Sequence, residues 1–432
     1  MKITPHRGTH QIGGTCIELQ SGDTRIVVDI GIPLTDVSGK RYDFGQFKGL
    51  SGPELVEKDV LPSVKGLYSW DKHSRPVDAV FISHSHKDHY GFLPYVSKSI
   101  PVYMSEGCKK LLGVAYYFGQ SDYDPEDAVV IKSWEEFKAG DFTVTPYLVD
   151  HSAVDAFAYL VEAGGKKVFY SGDFRGHGRK SVLFKRMISN PPEDIDTLLM
   201  EGSMIGRGNQ AYKDENAIQS RIEKILKSSN NISFLFTSSQ NIDRLVSAYK
   251  ACIKTEHIFV IDIYTAYILD KLRKVSKGIP QFNWRNIKVK FLKHQADTLA
   301  KKVSTKLLYH YNTQKIDIFE INRKKNKILM LARDNSIFPK TIKGIDNPRG
   351  ATVIYSMWGG YLNDRFRDFC ANKGLTIEQV HTSGHATAED LKAFAKAISP
   401  KTLIPIHTFE GKQYPEMFEN VRILKDGELF KV

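Results

Sequence analysis

Val80-Phe81-Ile82-Ser83-His84-Ser85-His86-Lys87-Asp88-His89-Tyr90-Gly91 decides how the rest of the chain is read. Val77 to Ile82 form a short buried strand in this reading, because apolar and β-branched residues follow a proline that blocks a helix. Three imidazoles and a carboxylate then fall within a few residues. A loop leaving a strand can set such nitrogen and oxygen ligands around two adjacent divalent cations, because alternate residues point to different sides and the chain folds back at Asp88-His89. Two cations sharing a hydroxide are the arrangement for metal-assisted hydrolysis. A single histidine beside an apolar strand is usually a packing or capping residue. Four ligand-type residues confined together without a cation would crowd polar groups that need partners.

At 432 residues the chain is long enough for two or three domains around a large core. No apolar run is long enough to cross a bilayer, and Met1 to His10 lacks the apolar centre of a signal peptide. Cys16, Cys108, Cys252 and Cys370 are scattered without CxxC spacing, which predicts neither a disulfide frame nor a thiolate zinc site and makes a reducing, cytoplasmic setting the default. The formal charge is +12. Between Met204 and Val380 there are 31 Lys+Arg against 15 Asp+Glu, so the excess lies in one contiguous region. A solvated surface accounts for this less well than a polyanionic partner.

Lys2 to His6, Gln11 to Gln20 and Thr24 to Asp29 alternate in polarity and predict an antiparallel meander, the last strand ending in Asp29. From Gly31 to Pro76 there is no clear period, and a loop of that length reads as a lid or an insertion bordering a cleft. Phe92 to Ser97 reads as the start of a helix, Val102 to Met104 as a strand and Glu106 to Tyr117 as a helix, in an α/β alternation. Phe142 to Leu148 is a strand running into His151, a further candidate ligand. Ala156 to Glu162 and Lys166 to Ser171 form a hairpin around Gly164-Gly165 and lead to Asp173. A carboxylate there has two oxygens and can bridge two cations, its plainer role being a turn residue after Gly172. Asp196 to Gly202 repeats the pattern of strand, acid and glycine with Glu201, as a layered sheet does when its site lies along one edge.

From Met204 a second α/β unit begins, with helices at Glu215 to Lys227 and Ile242 to Cys252 and strands at Ile232 to Thr237 and His257 to Ile263. Ser238 and Ser239 open the helix that carries Arg244, where exposed amides and hydroxyls suit a phosphate and equally suit ordinary N-capping. Arg323 to Lys327 is a basic tip, a solvated hairpin turn or a nucleic-acid contact. Ile328 and Ala351 begin further strands. Trp358 and Tyr361 beside paired glycines could stack on bases, but residues following a strand are more often core, the reading preferred here. Val380-His381-Thr382-Ser383-Gly384-His385 then precedes a helix from Ala388 to Ile398, and a strand from Thr402 to Ile406 ends at His407.

His-x-His-x-Asp-His at His84 to His89 resembles the metallo-β-lactamase signature, and with Ser383-Gly384-His385 and His407 the chain resembles the β-CASP branch of that superfamily over essentially its whole length. That branch includes ribonuclease J and the nuclease subunit of the polyadenylation machinery. The resemblance implies an α/β fold, a metallo-β-lactamase αββα sandwich in residues 1–203 and 376–432, interrupted by an inserted β-CASP domain in 204–375. It implies two Zn2+, with Mn2+ as an alternative: His84, His86 and His151 on one, Asp88, His89 and His407 on the other, Asp173 between them, and Asp29 orienting the ligands from behind. Asp88, His385 and Glu201 are the implied catalytic residues, Glu201 keeping His385 protonated so that it can donate to the leaving oxygen. His381, Ser383, Ser238, Ser239 and Arg244 are the expected phosphate contacts. A histidine at position 407 resembles the RNA-acting members, so single-stranded RNA is the expected substrate. A DNA nuclease or a small thioester or lactone hydrolase are the alternatives, the latter disfavoured by the basic insertion. No motif selects between cleavage from the 5′ end and internal cleavage. The sequence stops soon after His407 with no counterpart of the C-terminal domain of bacterial ribonuclease J, so that protein's assembly is not implied, and a homodimer stays open.

Overall fold

Alternation along Lys2–Arg7 sends every second side chain inward, and this pattern sets the first layer of the molecule. The computed structural model describes residues 1–35, 42–208 and 211–432. Its first sheet runs, from one edge, Phe430–Lys431, Lys2–Arg7, Cys16–Ser21, Thr24–Val28, Ala79–Phe81, Val102–Met104 and Val129–Val130. The second runs Thr402–Ile406, Thr197–Glu201, Lys166–Tyr170, Ala156–Ala163, Phe142–Val149 and Phe137–Ala139. One face of each sheet closes on the other through Ile17, Leu19, Ile26, Phe81, Phe157, Tyr159 and Ile404. The outer face of the first sheet is covered by helix Glu106–Tyr117, and that of the second by Ser181–Ser189 and Ala388–Ile398. The result is an αββα sandwich. Its hairpin between Ala163 and Lys166 is closed by Gly164 and Gly165 at φ 56° and 70°, the left-handed pair that a two-residue turn needs.

Two expectations change here. The long stretch after Gly31 is not a featureless loop: helix Gly52–Glu57 is capped where Glu54 accepts from Ser51 N at 2.7 Å, and Leu55, Val60, Leu61 and Val64 are buried on the outer face of the first sheet. Residues 36–41 of that stretch lie outside the described residues. Phe92 to Ser97 holds only a single 3-10 turn, Leu93–Tyr95, before the chain turns into the next strand.

The inserted unit is a wholly parallel sheet in the order Lys315–Ile316, Ile287–Lys290, Ile258–Asp262, Ile328–Ala332, Ser233–Phe236, Thr352–Tyr355 and Thr376–Gln379. Both faces carry helices, so its strands read as continuous apolar runs. Thr376–Gln379 pairs with Thr352–Tyr355, which carries the insertion past the 375 boundary. Leu111 and Val114 of helix Glu106–Tyr117 join the core of the inserted unit, so the two units share apolar packing at their seam. Arg323 to Lys327 is not a hairpin turn but the end of helix Ile318–Arg323 followed by a 3-10 turn.

Candidate metal centre

Ala79–Phe81 is buried between neighbouring strands, and the chain leaves it into Ser83, whose N–H and Oγ each donate to the Asp29 carboxylate at 2.7 Å. The turn that follows is a four-residue helix, Lys87–Tyr90, with His86 at its N-cap. Gly31 makes room for it: a Cβ there would sit 1.6 Å from the Asp88 carbonyl oxygen. Asp29 also accepts from Tyr170 Oη at 2.6 Å and lies 2.7 Å from His89 Nδ1. That contact fixes the His89 tautomer and turns Nε2 toward Asp173, 3.1 Å away. Asp29 thus lies behind His89, held by Ser83 and Tyr170.

The expected ligands arrive from four separate segments and meet. His84, His86 and His151 form one group that could hold a metal ion, and Asp88, His89, Asp173 and His407 another. Within each group the offered atoms lie within 4.8 Å of one another. Asp173 Oδ2 lies 3.7 Å from His84 Nε2 and 3.6 Å from His407 Nε2, and so borders both groups. His151 Nε2 lies 3.1 Å from His86 Nδ1. Bonds of ~2.0 Å in a tetrahedron set ligands about 3.3 Å apart, so these separations match a divalent cation of zinc size. The second nitrogen of each of three rings is occupied: His84 Nδ1 by Ser83 Oγ at 3.0 Å, His151 Nδ1 by Gly384 O at 2.6 Å and His407 Nδ1 by Thr15 Oγ1 at 2.9 Å.

The inward atoms are left over. His84 Nε2, His89 Nε2, His407 Nε2 and both Asp173 oxygens are buried with no hydrogen-bond partner. Burial, and then the neighbouring imidazoles, hold His84 well below the ordinary histidine value, and burial does the same for His151. Burial lowers His86 to about 4. Burial alone would raise Asp173, but His407 and His89 outweigh it and keep its carboxyl well below the usual range. His89 is the exception: burial alone would lower it, but Asp173 and Asp29 outweigh that and hold it well above the ordinary histidine value. Neutral His84, His86 and His151 beside an ionised Asp173 suit a cation, which would take the place of the His89 proton, and the residues present fit one. Backbone strain gathers at the same place, with Asp29 at φ 60° and His407 at φ 52°.

His385 Nδ1 lies 3.4 Å from Glu201 Oε1 and 3.5 Å from Asp173 Oδ2. Burial pulls its pKa down, but Glu201 and Asp173 outweigh that and leave it at about 9. Glu201 is fixed in turn by Ser203 N at 2.9 Å and Ala386 N at 3.2 Å. The loop carrying His385 is clamped from below by Arg175 Nη1, which donates to Ser383 O at 2.8 Å, while His177 Nε2 lies 3.1 Å from the same oxygen. Ser383 Oγ accepts from His385 N at 3.0 Å, and burial lowers half-buried His381 to about 3.

Two expected phosphate contacts have other partners. Arg244 is fully buried, with Nη2 3.0 Å from Glu215 Oε1 and Nη1 donating to Ser356 O at 2.9 Å, so no phosphate can reach it. Ser239 is buried against Thr265 Oγ1 at 2.8 Å and is also bonded by Arg333. Ser238 is exposed at the same loop, and Asn241 caps the helix by accepting from Arg244 N at 3.2 Å. The preference for a core position also fails at Trp358 and Tyr361, which are 48% and 47% exposed, ring edge against ring face at 5.2 Å with the Arg207 guanidinium over the Trp358 ring. A 3-10 turn at Gly359–Tyr361 carries them out of the sheet. Sequence reading overlooked Arg175, whose Nη2 donates to Asp243 Oδ2 at 2.6 Å, and Asp150, 3.5 Å from Arg175 Nε. The available signal was adjacency: Arg175 sits two residues after Asp173, and Asp150 immediately before His151.

Comparison with known proteins gives two family matches: a beta-lactamase superfamily domain over residues 59–219 and a Zn-dependent metallo-hydrolase RNA specificity domain over residues 373–413. Ribonuclease J of Mycoplasma genitalium is 23% identical over 417 residues, covering 94% of this chain and 67% of that protein. Ribonuclease J of Helicobacter pylori is 23% identical over 471 residues, covering 100% of this chain and 61% of that protein. The chain thus spans roughly three fifths to two thirds of the length of these relatives. A crystal structure of a protein of unknown function from Enterococcus faecalis superposes with a TM-score of 0.79 at 22% identity, covering 99% of both chains, and shows the same fold.

Proposed function

The chain belongs to the β-CASP branch of the metallo-β-lactamase superfamily, and on that premise we propose that it is a zinc-dependent ribonuclease acting on single-stranded RNA. The observation that carries this is the set of buried, unpartnered nitrogen and oxygen atoms of His84, His89, His407 and Asp173 beside a protonated His385. When bound, two zinc ions held by His84, His86, His151, Asp88, His89, His407 and Asp173 supply Lewis-acid stabilisation and an activated water nucleophile. The chain's own residues do the rest. Asp29, Thr15 and the Gly384 carbonyl orient imidazoles, and Glu201 keeps the His385 proton available for the departing ribose oxygen. Ser238, His381 and Ser383 are the residues we assign to the phosphates on either side of the scissile one. Trp358 and Tyr361 offer exposed rings on which bases stack.

RNA is favoured over DNA by His407 and by the matched RNA specificity domain that contains it. The excess of Lys and Arg between Met204 and Val380 draws in a polyanion and speaks against a small neutral ester. Among the described residues no helix is long and apolar enough to cross a membrane. All four cysteines are free and buried, which supports a reducing compartment. The test offers end-labelled RNA and the matched DNA oligonucleotide to one preparation loaded with zinc or manganese. Cleavage of RNA well in excess of DNA is expected. Equal cleavage of both removes the RNA reading, and turnover of small thioesters with neither nucleic acid cut removes the nuclease reading.

A further inference from the structure

A cavity of ≈ 180 Å³ lies at the carboxyl edge of the inserted parallel sheet and shares no lining residue with the histidine cluster. It opens where Ile258–Asp262 and Ile328–Ala332 lie side by side. The chain leaves the first of these toward Ile287–Lys290 on one side, and the second toward Thr352–Tyr355 on the other. Neighbouring strands whose connections diverge leave a crevice at their carboxyl ends, and open α/β sheets bind ligands there. Three helices, Ile263–Leu272, Lys293–Lys302 and Ile337–Lys343, have residues of their first turn in its wall.

The charges inside do not cancel. Asp262 is spent: it caps its helix by accepting from Thr265 N at 2.9 Å, accepts from Gln295 Nε2 at 2.9 Å and pairs with Arg333. Lys290 is half-buried in the wall and makes no ion pair among the described residues, its Nζ donating to Thr341 Oγ1 at 2.8 Å. Burial, only partly offset by Asp262, lowers it to about 8, so at neutral pH it is a mostly charged cation short of a counter-ion. Phe118 and Tyr264, rings 5.0 Å apart, close the cavity on the side of the catalytic unit, where Tyr264 Oη donates to Gln120 Oε1 at 2.9 Å. The volume is several times the ~30 Å³ of a water molecule and below the ~300 Å³ of a pocket that encloses a whole drug-sized ligand.

We propose that this cavity is a second binding site, for the phosphate and sugar of one nucleotide, with Lys290 as its cation and the base lying toward Phe118 and Tyr264. That the nucleotide can belong to an RNA chain rests on the proposed nuclease activity; that it can be a free mononucleotide does not. Calorimetric titration of the zinc-loaded protein with AMP reads the site directly. Lys290→Met, which keeps the length of the side chain and removes its charge, and Thr298→Phe, which fills the cavity and touches no charge, are each expected to weaken one class of AMP site at least tenfold. Zinc content and thermal unfolding confirm that each variant is folded, and either variant serves if the other is not.

Identical AMP titrations for the wild type and a folded variant overturn the proposal. If RNA is the source, AMP competes with a long RNA, and Lys290→Met raises KM for that RNA at least tenfold. If a free nucleotide is the source, AMP changes the kcat of the wild type without competing, and the effect is absent in Lys290→Met. Either pattern supports the site. Because the titration involves no turnover, a protein that binds AMP through Lys290 and cuts no RNA defeats the nuclease reading alone, and an active enzyme with unchanged titrations defeats the cavity alone.

Discussion

Two clusters of buried charge lie next to each other and are built on opposite terms. Around Arg175 and Arg244 the charges complete one another: Glu215, Asp243, Asp150 and the carbonyls of Ser383 and Ser356 take up the guanidinium donors. Around Asp173 they do not: His84, His89, His407 and Asp173 direct their remaining atoms at one another without a hydrogen bond, the shortest approach being the 3.1 Å ion-pair contact of His89 Nε2 with Asp173. Both clusters are equally sealed from water, so burial does not separate them. The difference lies in how much is left without a hydrogen bond within the chain: around the arginines one oxygen, Asp150 Oδ2, and around Asp173 the inward nitrogens of three imidazoles and both carboxylate oxygens. A completed cluster joins two structural units, and an incomplete one is shaped for something brought from outside.

The sharpest way to break this contrast is Asp173→Ala. It is expected to abolish RNA cleavage and to reduce bound zinc measured on the purified protein, and full activity would mean that the incomplete cluster is an ordinary polar core. His385→Ala should leave zinc content as it is and lower kcat by about 10²–10⁴-fold. Since His385 must carry its proton to act, activity is expected below its pKa of about 9 and lost as pH rises through it. Glu201→Gln removes the carboxylate that raises that pKa, and a pH–rate profile should show the basic limb moved to lower pH.

In the completed cluster the expected loss is of stability. Arg244→Met strands Glu215 in the interior and should cost about 3–5 kcal/mol in urea unfolding, with Arg244→Met/Glu215→Leu regaining part of it. Burial alone would raise Glu215, but Arg244 and Arg175 outweigh it and hold it at about 2. Its contribution is thus present above the unfolded value and is lost as pH falls toward 2. The smallest effect is sought behind the ligands: Asp29→Asn should weaken zinc binding by about 10–100-fold, measured by competition with a chelator, without emptying the site at saturating metal.

Much of the incomplete cluster was legible in the sequence, because its members are ligand-type residues set at strand ends by short-range patterns such as His-x-His-x-Asp-His and the turn after Tyr170. The completed cluster was not. Arg244 occupies a position in its helix that would face an anion if the helix stood alone, and only tertiary packing of Glu215, from the preceding helix, takes that place. Trp358 and Tyr361 were misjudged for a related reason: apolarity predicts burial, whereas the turn at Gly359 decides which way the rings go. The stretch after Gly31 lacks a period because it buries scattered residues on a sheet face without forming a long element of its own. The hairpin at Gly164-Gly165 was read correctly, since its geometry depends on two residues and their neighbours alone.

His407 stands at the end of a strand that lies beside Thr197–Glu201, yet the whole parallel sheet is threaded between them in the chain. During translation, at roughly 5–20 residues per second, some ten to forty seconds separate the emergence of the two strands from the ribosome. Through most of that interval a nascent chain carries six of the seven expected metal ligands and Glu201, and lacks His385 and His407. A metal centre assembled in this order is incomplete until the strand that carries His407 has emerged.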